Sequence, residues 1–173
     1  FIDRVVNMME EGVDVAVRIA ELPDSSMQAG RVGRVRLGLV AAPSYLQAHG
    51  VPQKPEDLAH HVTISSAGMT AQPEWRFSVN GRTQGQRVAP RMRTTTNDSA
   101  ISAALAGLGI ARQLSYQVAP HVASGALVPV LEEYEFSPVP IHVLHREGRR
   151  ATQKVRNFID MAVESLRANP ALR

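Results

Sequence analysis

Cysteine is absent from this 173-residue chain, which excludes disulfides, thiolate zinc sites and cysteine nucleophiles together. Long apolar runs are absent too. None approaches the roughly 20 residues that span a bilayer, so neither a transmembrane helix nor a membrane partner is expected. No secretory signal peptide is visible, and the expected location is the cytoplasm. The motifs of common chemistries are missing as well: there is no G-x-S-x-G, no P-loop, no G-x-G-x-x-G and no H-E-x-x-H. His60-His61 is the only histidine pair, and His142 and His145 lie on a strand with no carboxylate at ligand spacing. Ser, His and Asp occur without a local signature joining them. No catalytic residue, metal or cofactor is therefore expected. Charge of one sign is also scarce. Nineteen basic against sixteen acidic residues leave +3, too weak and dispersed to argue for nucleic-acid binding. The densest basic stretch, "HREGRRATQKVR" (His145 to Arg156), reads as a solvated surface.

What is present is an ordinary globular composition, 44% hydrophobic and 20% charged, enough for a core in one domain or two small lobes. Ile2, Val5, Val6 and Met9 recur at helical spacing up to Gly12. With Met8 they exceed what one face of so short a helix can bury, which predicts a dimer contact there. "VDVAVRIA" alternates as a strand with apolar residues on both faces, suited to a sheet covered on both sides. "ELPDSSMQAGRVG" reads as a loop, "VRLGLVAA" as a strand, and "PSYLQAHG" and "KPEDLAHH" as short helices. Strand "VTISS" follows. "EWRFSVNGRTQGQRV" is a hairpin turning at Asn80-Gly81, and "RMRT" is a strand. After the helix of Ile101, Ala104, Leu105 and Leu108 come helix "YQVAPHVASG", strands "ALVPVL" and "VPIHVLHRE", and an amphipathic helix of Val155, Phe158, Ile159, Ala162, Val163 and Leu166. Strands and helices alternate around one antiparallel insertion: an α/β fold with a mixed sheet.

The polar run Thr96-Asn97-Asp98-Ser99 stands where a strand gives way to a helix. Asn97 or Asp98 can serve as N-cap, satisfying the first free N–H groups. The same helix N-terminus offers partial positive charge and donors to a ligand, at the carboxyl end of a strand where open α/β sheets bind theirs. Asp98 weighs mildly against a bare anion site. Gly107 and Gly109 follow a helix rather than precede one, and mark its end.

Taken in order, "EGVDVAVR" (Glu11 to Arg18), Asp24-Ser25-Ser26 and "APSYLQAHGVPQKPEDL" (Ala42 to Leu58) resemble the effector-binding domain of LysR-type transcriptional regulators. "EWRFSVNGR", "NDSAISAALAGLGIA" and "SGALVPVL" continue the resemblance, which covers nearly the whole chain. It implies a periplasmic-binding-protein-like (type 2) fold of two lobes with mixed sheets joined by two crossing strands. Lobe I would hold residues 1–42 and 138–173, and lobe II residues 43–137. In such regulators a small effector, commonly an organic anion or aromatic acid, binds in the interlobe cleft and alters how a homodimer or tetramer presents its helix-turn-helix domains to DNA. Carried onto matching positions, the effector site would comprise Ser65, Ser66, Asn97, Asp98 and Ser99 of lobe II, with Arg18 of lobe I facing them. The helix-turn-helix domain and the first strand, helix and second strand of lobe I have no counterpart here, so a longer natural protein is expected, touching DNA only through that missing domain. The competing expectation on the same fold is a transporter's solute-binding protein, which would carry an upstream signal peptide.

Overall fold

The computed structural model describes residues 12–22, 28–66, 74–145 and 152–172. The first helix with its surplus apolar residues and the Asp24-Ser25-Ser26 motif lie outside them. The chain divides into two units, residues 36–137 and the pair of segments 12–35 and 138–172. The boundary expected after residue 42 thus falls after residue 35. The reason is that the strand Leu37–Ala41 hydrogen-bonds to two strands of the larger unit.

In the smaller unit, β1 (Val15–Ile19), β2 (Gln28–Val35) and β10 (Val139–His145) form an antiparallel sheet in the order β1-β10-β2. Much of the segment expected as a loop is thus a strand, β2. Its arginines and glycines hide the apolar alternation, and a bulge at Val32 breaks it again. α4 (Gln153–Ala168) is capped by Thr152, whose hydroxyl accepts from the Val155 N–H. Val155, Ile159, Ala162, Val163 and Leu166 are half-buried, while Phe158, expected with them, is 51% exposed.

In the larger unit the strands run β7 (Met92–Thr94), β4 (Thr63–Ser66), β8 (Ile110–Leu114), β3 (Leu37–Ala41) and β9 (Val128–Val130). β7, β4 and β8 are parallel, and β3 lies antiparallel between β8 and β9. β8 sits at the centre yet escapes a search for apolar alternation, because Arg112 and Gln113 interrupt its run. Gly109 admits it: a Cβ there would lie 2.5 Å from the backbone oxygen of Val62, which accepts the Ile110 N–H. One sheet face packs Leu39, Ala41 and Ile110 with Tyr45, Leu58, Trp75 and Phe77, the last two from the hairpin β5 (Glu74–Val79) and β6 (Arg82–Arg87). Asn80 and Gly81 both take positive φ, the two-residue turn that Asn-Gly favours. The other face packs Val40, Ile64 and Ala111 under α2 (Asn97–Leu105) and Val118 of α3 (Ser115–Ala123).

α1 (Pro43–His49) contributes Tyr45, whose hydroxyl accepts the Val62 N–H at 2.8 Å and meets His61 Nδ1 at 3.2 Å. The segment Pro55–His60, expected as a short helix, is a 3₁₀ helix whose Asp57 accepts the Gln53 and Lys54 N–H groups. Burial and, after it, His49 hold the His61 imidazole below its ordinary value, with Asp57 opposing. The unfolded chain therefore binds more protons than the folded one across that interval. Stability is complete above the ordinary imidazole value of about 6.5 and is lost as pH falls through it toward the lower folded value. Denaturant midpoints recorded from about pH 8 to about pH 5 are expected to decline, and His61→Gln to flatten that decline. Equal slopes in both proteins would place the proton uptake elsewhere.

Candidate functional site

The carboxyl ends of β7, β4 and β8 share one edge of the five-stranded sheet, and two helices begin there. α2 follows β7, and α3 follows β8 directly. The N-cap of α2 is Thr96, not Asn97 or Asp98: its hydroxyl accepts the Ser99 N–H at 3.2 Å and lies 2.9 Å from Ser99 Oγ. Extended backbone at Thr96 permits this, whereas Asn97 is already helical. Thr96→Ala is expected to cost about 1 kcal/mol in a urea titration, and an unchanged midpoint would show the cap idle.

With capping assigned to Thr96, Asn97 is left for another task. It is only 6% exposed, and its Oδ1 accepts a 2.6 Å hydrogen bond from the hydroxyl of buried Ser66 at the end of β4. This pair joins the two segments that the sequence reading brought together. The remaining residues of that reading are placed differently. Ser65 is half-buried, and strand alternation turns it to the face of Thr63, opposite Ser66. Asp98 and Ser99 are exposed, with the Ser99 hydroxyl engaged by Thr96. Arg18 belongs to the other unit. There it is exposed on β1 opposite His142, which lies opposite Arg31 on β2, so one sheet face carries a stripe of basic residues. Arg18 makes no ion pair with any described residue.

Two residues beyond the sequence reading belong to this edge. Gln113, on β8, is 1% exposed, and neither its Nε2 nor its Oε1 has a hydrogen-bond partner. Gln117 Oε1, in the first turns of α3, is likewise buried and unpartnered. The signal that could have found Gln113 is a glutamine inside the short apolar run "GIARQL". α3 starts after Leu114 without a side-chain cap, and the Ser115 N–H donates to the Arg36 carbonyl at 2.8 Å. Beside Gln113 in sequence but on the opposite face, Arg112 lies 6.0 Å from the Trp75 ring and 5.8 Å from Phe77, and donates to the Arg76 carbonyl. Burial pushes its guanidinium down to about 10, against the pull of Glu135.

Among the described residues no cluster of His, Asp or Glu could hold a metal, and no helix is long and apolar enough to cross a membrane. What the edge supplies is neutral hydrogen-bonding capacity in an enclosed setting.

Residues 2–167 match the family model of the LysR substrate binding domain. The chain is 34% identical to an HTH-type transcriptional repressor of Pseudomonas aeruginosa strain UCBPP-PA14, over 99% of its own length and 55% of that protein's. The full-length structure of CrgA, a LysR-type transcriptional regulator from Neisseria meningitidis, superposes with a TM-score of 0.79 at 28% identity, covering 94% of this chain and 55% of that one. The Vibrio cholerae virulence activator AphB gives 0.78 at 28% identity, covering 92% and 54%. The chain thus spans about half the length of the relatives it matches.

Proposed function

The chain belongs to the LysR substrate-binding-domain family, the effector-binding part of LysR-type transcriptional regulators, and from that premise we propose that it senses a small molecule at the carboxyl edge of its five-stranded sheet. The observation that carries this reading is the buried Ser66–Asn97 hydrogen bond, which ties the end of a parallel strand to the start of α2. Beside it stand the buried polar atoms of Gln113 and Gln117. Native interiors seldom leave such groups unpaired, and where they do a ligand is one of the reasons.

In this proposal Ser66 and Asn97 form the inner wall, while Ser65, Asp98 and Ser99 border it. Arg18 of the smaller unit contributes its charge, pairing bidentately with an acidic group on the effector. The whole regulator works in the cytoplasm as a homodimer or tetramer and reaches DNA through a helix-turn-helix domain outside this chain. The relatives are regulators, which disfavours the transporter reading.

Two measurements test the proposal. The coding DNA upstream of Phe1 is expected to encode a helix-turn-helix, and a signal peptide in its place would reject the regulator. Arg18→Ala is expected to weaken binding of an acidic effector by about ten- to a hundredfold, the worth of one charge-assisted hydrogen bond. Equal affinities would remove Arg18 from the site.

A further inference from the structure

Gln113 is an uncommon residue for its position. It lies in the central strand of a sheet, 1% exposed, with both amide donors and its carbonyl oxygen unpartnered. A buried polar group left in that state loses its hydration without return, typically at about 1–3 kcal/mol. A leucine of similar volume would avoid the cost altogether.

Register shows where the amide points. Ile64 of β4 stands opposite Ala111 of the parallel β8, and both pack under α2. Two residues further along each strand come Ser66 and Gln113. Alternation keeps them on that same face, at the same level, at the carboxyl ends of their strands. Ser66 is the residue whose hydroxyl is bonded to Asn97 at the start of α2. Gln117, with its own buried carbonyl oxygen, follows on α3, whose Val118 packs on the same face. Gln113 therefore lies on the face covered by α2 and α3, level with Ser66 at the carboxyl end of the strands.

The chemistry of what would satisfy them is selective. Two buried carbonyl oxygens, Gln113 Oε1 and Gln117 Oε1, need hydrogen-bond donors. The Gln113 NH₂ needs an acceptor. A carboxylate brings acceptors only. A carboxamide, lactam or urea presents a donor and an acceptor on one planar edge and meets both needs.

We infer that Gln113 is a specificity-determining residue that selects an effector carrying a neutral amide-type edge at this end of the site, in preference to a bare carboxylate. The inference rests on the effector-site reading above and deepens it.

Matched pairs of small probes test it on the 173-residue chain: benzamide against benzoate and nicotinamide against nicotinate, titrated at millimolar concentration. ¹⁵N spectra would follow the Gln113 side-chain NH₂. The amides are expected to bind more tightly than their acids and to shift that resonance. Gln113→Leu is expected to weaken amide binding by about tenfold or more, since it removes the whole paired edge. Gln113→Met, more adaptable in shape, repeats the test should the leucine disturb packing. Acids binding as well as amides, or amides binding both variants as well as wild type, would overturn the inference while the effector site stands. That second result is also the one expected of an amide satisfied by trapped water alone. Failure of every probe in every protein would overturn the effector-site reading with it.

Discussion

Trp75→Ala is expected to destabilise the larger unit by about 3–5 kcal/mol, the range for truncating a buried tryptophan. Trp75 is the only tryptophan of the chain and one of its most completely buried side chains, at 1% exposure. It comes from the inserted hairpin, so its cavity would open between that hairpin and the sheet. Leu39, Tyr45, Leu58, Phe77 and Ile110 belong to the same cluster and would lose its ring as a packing partner. The loss also removes a ring from beside the Arg112 guanidinium, which burial already holds below its ordinary proton affinity. A small domain is worth only about 5–15 kcal/mol in total. The variant should therefore unfold at markedly lower urea, or lie near its midpoint without any. Far-UV circular dichroism must report the transition, because the variant has no tryptophan fluorescence. A shift worth less than about 1 kcal/mol would show that the hairpin is an appendage and not part of the cooperative core.

The hairpin illustrates what the residues state locally. Trp75, Phe77 and Val79 alternate, Asn80-Gly81 demands a left-handed turn, and both features need only neighbours in sequence. α1, α4, β4 and β10 were legible for the same reason. β2 and β8 were not. Gly30, Arg31, Gly33 and Arg34 give β2 the composition of a loop, and it is a strand only because β10 supplies its hydrogen bonds. β8 carries Arg112 and Gln113 where a central strand is ordinarily apolar; aromatic rings of the distant hairpin accommodate Arg112, while the Gln113 amide stays buried without a partner. The site followed the same division. Local residue types singled out Ser66 and Asn97, which a buried hydrogen bond joins. Alternation within "TISS" and the choice of cap at Thr96 decide which of the neighbouring hydroxyls face it, and both depend on backbone conformation rather than composition. Gln113 could be connected with that pair only through a strand pairing invisible in the chain itself.

Asn97→Ala is expected to lower stability by about 1–3 kcal/mol, more than Thr96→Ala, although both residues stand at the start of α2. The cap at Thr96 is accessible enough for water to replace a lost hydroxyl. Asn97 is different, because Ser66 donates to it across 31 residues of chain, inside the protein, at 2.6 Å. Removing the acceptor leaves a buried hydroxyl with nowhere to send its proton, so the penalty is the desolvation of that group and not merely one bond. Ser66→Ala should fall in the same range by the converse argument, leaving the Asn97 carbonyl oxygen without that donor. The double variant should cost less than the sum of the two, because neither half of the pair is then stranded. A cycle of four proteins, unfolded in urea, measures the difference. Strict additivity would mean that the two side chains are not coupled. A coupling near or above about 1 kcal/mol would fix the end of β4 to the start of α2, holding the inner wall of the proposed site in place before any effector arrives.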